Sequence, residues 1–167
     1  MIVLDPAYVT YEASIASTGA QQIRVEQPAA NGFRPDMAAI EQAITSATRG
    51  IVFSNPSNPT GVALNRGELE AIARLVVSND LWVVVDEVYS DLVFDGVHES
   101  IAGLPGMLER TVTVSSVSKS YAMTGWRCGW AVGPPALGAH LRNMALINLY
   151  GLPGFVMEAA DTALREG

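Results

Sequence analysis

The sequence predicts an α/β protein of three layers, with a mostly parallel sheet held between helices. Two patterns carry this reading. Short runs such as Leu81-Trp82-Val83-Val84-Val85 are apolar throughout, as strands covered on both faces must be. Between such runs lie segments with apolar residues at helical spacing, so strands and helices alternate as in βαβ units. Composition agrees: of 167 residues 49% are hydrophobic and 16% charged, against a common charged share of about a quarter. Much of this chain must be buried against sheet, helix or another subunit.

Taken in order, Ile2-Leu4 reads as a strand and Pro6 to Ser17 as a helix stopped at Gly19. Gln22-Glu26 and Gly50-Ser54 are further strands. A helix is expected between them from Pro35 to Thr45, because proline suits a first helical position and Asp36 then falls in the first turn. Asn65 followed by Glu68 has the form of a capping box, and Leu69, Ile72, Ala73 and Val76 continue at helical spacing until Asn79-Asp80. Strands follow at Leu81-Val85, Thr111-Ser115 and Cys128-Gly133, and helices at Pro135-Leu149 and Phe155-Arg165. No internal repeat or long linker interrupts the series.

The net charge is -7, without a run of Lys and Arg, which argues against nucleic acid or an anionic membrane as the main partner. No apolar run reaches the length of a bilayer span, and Met1-Ile2-Val3-Leu4-Asp5-Pro6 lacks the basic start and long apolar core of a signal peptide. The single cysteine, Cys128, reads as a small buried apolar residue and fits a reducing cytoplasm, the expected location.

Three stretches carry chemistry. Ser116-Val117-Ser118-Lys119-Ser120 with Met123-Thr124-Gly125-Trp126-Arg127 sets a lysine among hydroxyls, with an arginine beyond. An amine in that setting can capture an aldehyde, while hydroxyls and a planar guanidinium can hold a phosphate. Gly125 is read as permitting a close backbone approach. Asp86 follows an apolar strand, at the edge where open α/β sheets bind ligands, and a helical turn after it would bring Tyr89 to the same face. Asn55-Pro56-Ser57-Asn58-Pro59-Thr60-Gly61 is a loop stiffened by two prolines, which would present Asn58 in few poses.

In that order, Asn-Pro-x-Asn-Pro-Thr-Gly, Asp-Glu-Val-Tyr and Ser-x-Ser-Lys with Met-Thr-Gly-Trp-Arg resemble the class I/II aminotransferases of pyridoxal phosphate fold type I. The likeness runs from Asp5 to at least Gly133. It implies an aspartate aminotransferase-like large domain with pyridoxal 5′-phosphate as cofactor. Lys119 would form the Schiff base and shuttle the substrate's α-proton, and Asp86 would pair with the pyridinium nitrogen. Tyr89 and Asn58 would donate to the phenolic oxygen, Ser116, Ser118 and Arg127 would hold the phosphate, and Tyr8 would stack on the ring. Amino acid and 2-oxo acid substrates and a homodimer are implied as well.

A finer resemblance, to the arginine–pyruvate transaminase type, lies in Asp86 to Gly96, Leu104-Pro105-Gly106-Met107 and Leu149-Tyr150-Gly151-Leu152-Pro153. Glu12, Asp91 and Asp95 read as exposed carboxylates rather than as a guanidinium pocket. The family's large domain begins upstream of the position of Met1, and its substrate-carboxylate arginine belongs to a C-terminal small domain with no match after Leu149. Residues 1–167 are therefore expected to form the central part of the large domain, to expose apolar surface, and to be inactive alone. Other readings are a lyase or decarboxylase of the same fold, a non-catalytic cofactor-binding regulator, or a P-loop ATPase using the acidic pair Asp86-Glu87.

Overall fold

The computed structural model describes residues 1–167. Its elements are β1 (Ile2–Asp5), α1 (Thr10–Ala16), β2 (Ile23–Glu26), α2 (Met37–Ala43), β3 (Gly50–Ser54) and α3 (Arg66–Ser78). There follow β4 (Trp82–Asp86), β5 (Thr111–Ser116), α4 (Val117–Ser120), β6 (Gly129–Val132), α5 (Pro135–Leu149) and α6 (Gly154–Glu166). The six strands form one sheet in the order β2-β1-β3-β4-β5-β6. All neighbours run parallel except β5 and β6, which pair antiparallel from Thr113↔Val132 to Ser116↔Gly129.

Alternation along the strands sorts the core into two faces. Ile2, Leu4, Ile51, Phe53, Val83 and Val85 point to one side, where they pack with Ile40 of α2 and with Leu69, Ile72 and Val76 of α3. Val3 and Val52 point to the other side and meet Ile15 of α1. The link from β4 to β5 contains no α-helix. Two of its 3₁₀ turns, Ile101–Gly103 and Leu108–Arg110, frame Ile101, Leu104 and Met107, which join the first face. Their three-residue spacing matches a 3₁₀ winding rather than an α-helix.

Two glycines make close strand contacts possible. A Cβ on Gly50 would lie 2.6 Å from the Trp82 carbonyl oxygen, and one on Gly129 would lie 2.8 Å from that of Ser115. Side chains at either point would force neighbouring strands apart.

Several boundaries differ from the sequence expectation. The first helix begins at Thr10 instead of Pro6, because the Asp5 carbonyl still accepts a bond from Gln27 N–H at 2.6 Å. Strand pairing thus runs to the last residue of β1, which keeps Pro6–Tyr8 out of the helix. Asp36 is the cap of α2 rather than part of its first turn. It is extended, and its carboxylate accepts from the N–H groups of Ala38 and Ala39, so the helix starts at Met37 and stops at Ala43. The capping box of Asn65 and Glu68 is present in both directions. Cys128 is only half-buried, since the short β6 beside it lies at the sheet edge.

The second face is thinly covered. A cavity of 330 Å³ opens there between Ile15, Val52, Val84 and Val114. Helix α5 buries no residue, and Ile147 and Tyr150 stand 83% and 88% exposed. No helix is long and apolar enough to cross a membrane.

Candidate active site

The strand order reverses between β1 and β3, the kind of switch point at which α/β sheets bind ligands beyond their carboxyl ends. At that edge the structure has a cavity of 430 Å³. The loop after β1 supplies Tyr8, the loop after β3 Asn58, the end of β4 Asp86 and Tyr89, and the β5–α4 junction Ser116, Ser118 and Lys119. Arg127 closes the group from the turn before β6. All eight residues singled out in the sequence thus line one cavity, with Val88, Val114, Ser115 and Thr124 between them.

Lys119 is the sole lysine of the chain. It sits on α4, a single turn pinned by Val117, which is fully buried. Ser116 caps that turn, its hydroxyl accepting from Ser118 N–H at 3.2 Å. The Lys119 ammonium lies 5.7 Å from the centre of the Tyr89 ring, within the range of cation–π attraction. Neither Lys119 nor Arg127 takes part in any of the chain's ion pairs.

Arg127 donates from Nη1 to the Thr124 carbonyl at 2.8 Å, its only bond within the chain. Its backbone and that of Ala122 are left-handed, each with φ of 52°. Non-glycine residues held there store roughly 1–3 kcal/mol apiece, and the two bracket the turn that aims the guanidinium. Around Gly125 the chain itself leaves open space. A Cβ there would meet no atom within 4 Å, so nothing in this chain demands a glycine at that position.

Asp86 is held on both oxygens. Tyr11 O–H donates to Oδ2 at 2.8 Å, and Val88 N–H donates to Oδ1 at 3.1 Å. Burial, and next the Asp86 charge, push the Tyr11 hydroxyl far above the usual tyrosine range. The sequence reading missed Tyr11. Its signal was the three-residue spacing from Tyr8, and the two rings meet edge-on with centroids 5.9 Å apart.

The doubled Asn-Pro loop divides its two amides. Asn55 is buried and structural: its Oδ1 accepts from Leu64 N–H at 2.9 Å, and its Nδ2 donates to the Glu99 carbonyl at 3.2 Å. Asn58 is tied only through its backbone, to Ser54 Oγ at 3.1 Å, which leaves its side chain facing the cavity. The acidic pair is split as well. Glu87 turns away from the cavity to lie buried near His98, with 3.4 Å between Oε2 and Nε2. Asp86 and Glu87 therefore do not converge on one ligand. Glu12 pairs with Arg24, and Asp91 and Asp95 are exposed, all outside this cavity.

The donor set suits a phosphorylated aromatic aldehyde. One amine without a carboxylate partner can react with the aldehyde, a fixed carboxylate can face a basic ring nitrogen, and two serine hydroxyls with an unpaired guanidinium can take the phosphate. Pyridoxal 5′-phosphate has those three features.

A family model for aminotransferase class I and II matches residues 1–167. The chain is 52% identical over 165 residues to the arginine–pyruvate transaminase AruH of Pseudomonas aeruginosa, covering 99% of this chain and 42% of that protein. It is 42% identical over 144 residues to a probable N-succinyldiaminopimelate aminotransferase, DapC, of Mycobacterium tuberculosis, covering 85% of this chain and 36% of that one. Among solved structures, an aromatic aminotransferase from Pyrococcus horikoshii superposes with a TM-score of 0.95 at 36% identity, over 99% of this chain and 44% of that one. The N-succinyldiaminopimelate aminotransferase of M. tuberculosis gives 0.92 at 39%, over 99% and 44%. The chain spans less than half the length of these relatives.

Proposed function

The chain belongs to the class I and II aminotransferases, and from that membership we propose that its cavity binds pyridoxal 5′-phosphate and serves amino-group transfer from an amino acid to a 2-oxo acid. The observation that carries the reading is the meeting of the sole lysine, an unpaired arginine and a doubly held aspartate in one cavity. When bound, the cofactor supplies an aldehyde to carry the amino group and a ring to accept electrons released at the substrate α-carbon.

The residues divide the remaining work. Ser116, Ser118 and Arg127 hold the phosphate at the cationic end of the cavity. Asp86 holds a proton at the ring nitrogen, because its anionic charge favours the protonated, cationic ring. Tyr89 and Asn58 would donate to the phenolic oxygen, and Tyr8 would cover a ring face. Lys119 Nζ would be the amine that anchors the cofactor's aldehyde and, once freed, the general base that moves the substrate's α-proton.

Residues 1–167 serve in this reading as the central part of the large domain, and the exposed apolar faces of α5 are covered by the rest of the molecule and by a second subunit in a homodimer. The 167-residue chain by itself then lacks turnover. A cytoplasmic location accords with one half-buried free cysteine. Arginine as donor and pyruvate as acceptor are proposed from the relative that is 52% identical. The cavity does not select them, since relatives named for aromatic and succinyldiaminopimelate substrates match over the same stretch.

The test uses the full protein with added cofactor, a panel of amino acids including arginine, and pyruvate. Alanine should form, and fastest with arginine. Release of carbon dioxide or ammonia without alanine would replace transamination by decarboxylation or elimination.

A further inference from the structure

Asp86 is the group whose exact placement decides what a ring nitrogen would meet, and the chain devotes a second tyrosine to it. Tyr11 donates to Oδ2 while Val88 N–H donates to Oδ1. Each carboxylate oxygen can accept more than one bond, so both retain capacity toward the cavity that Asp86 lines. The Tyr11 hydroxyl is partly buried beside an anion and holds its proton well beyond the ordinary tyrosine range. It therefore remains a donor, and a donor to a carboxylate favours the charged form.

Tyr11 lies in the first turn of α1, three residues after Tyr8, with the two rings edge-to-face at 81°. The β1–α1 junction thus places both the aromatic on the cavity wall and the hydroxyl that holds Asp86. We propose that Tyr11 is a positioning residue that fixes the Asp86 carboxylate toward the cofactor's ring nitrogen and thereby keeps that nitrogen protonated. The inference rests on the cofactor reading given above.

The test compares the full protein with Tyr11→Phe after loading both with pyridoxal 5′-phosphate labelled with ¹⁵N in the ring. Phenylalanine keeps the ring and its contact with Tyr8. Tyr11→Phe should still capture the cofactor on Lys119, but its ring ¹⁵N resonance should move toward the unprotonated position. Exchange of the donor's α-proton should slow about tenfold with KM changed less than twofold, an order-of-magnitude expectation for loss of one bond to a charged group.

On an Asp86→Asn background the same substitution should have no further effect on the resonance, because coupled residues do not add. Capture on Lys119 with an unchanged resonance, or full additivity with Asp86→Asn, would overturn the role of Tyr11 and leave the cofactor reading standing. Failure of the unsubstituted protein to capture the cofactor would overturn both.

Discussion

Replacing Arg127 with alanine is expected to weaken pyridoxal 5′-phosphate binding about 10- to 100-fold while leaving the fold intact. The guanidinium carries five N–H donors, and only one bond within the chain, to the Thr124 carbonyl, engages it. Two bonds to a phosphate are thus available, each worth about 1.5–3 kcal/mol when charge-assisted. Arg127 is exposed in this chain, so salt and water reduce the pair to roughly 1.5–3 kcal/mol in all. At about 1.4 kcal/mol per tenfold change, that gives the stated range. Alanine inherits the same left-handed backbone, so strain at φ of 52° is not relieved, and the unfolding free energy should change by less than about 1 kcal/mol. Cofactor titration of the full protein at fixed salt measures the loss, with unphosphorylated pyridoxal as control. Equal losses for both ligands, or none for the phosphate form, would refute a phosphate contact.

Other substitutions test the scaffold. Ile72→Ala removes a fully buried side chain between α3 and the sheet and should cost about 2–5 kcal/mol in urea unfolding. Gly129→Ala puts a Cβ 2.8 Å from the Ser115 carbonyl. It should displace the end of β5 that carries Ser116, so cofactor affinity should fall even where the melting temperature is nearly kept. Alkaline stability reports on Tyr11, whose hydroxyl is raised above its ordinary 10.0 in the native state. Above that ordinary value the unfolded chain releases a proton that the native chain retains, so stability present at lower pH is lost as pH rises. Tyr11→Phe should flatten that decline in urea midpoints measured between about pH 9 and 11.

The alternation of apolar strands with helical spacing was enough to place the sheet and the capped helix α3, because both depend on local periodicity and on the Asn65–Glu68 box. The eight cavity residues were legible for a different reason. They lie in loops rich in proline, glycine and serine at strand ends, where side chains are exposed for use rather than packed. Tyr11 was not legible, since its bond to Asp86 spans 75 positions and depends on where α1 begins. That start is fixed by strand pairing at Asp5, a tertiary effect. The burial of Glu87 against His98 likewise depends on the course of the long β4–β5 link, which contains only short 3₁₀ turns and so has no extended periodicity to read. Helix α5 was predicted correctly in extent, but it buries no residue within this chain.

Reductive trapping shows whether Lys119 anchors pyridoxal 5′-phosphate. The full protein is incubated with cofactor, reduced with borohydride, digested and mapped by mass spectrometry. A single reduced adduct is expected on Lys119, and it should disappear in Lys119→Ala, which retains Ser116, Ser118 and Arg127 to hold the phosphate without a covalent bond. An adduct on another amine with Lys119 unmodified, or equal trapping in Lys119→Ala, would contradict the account.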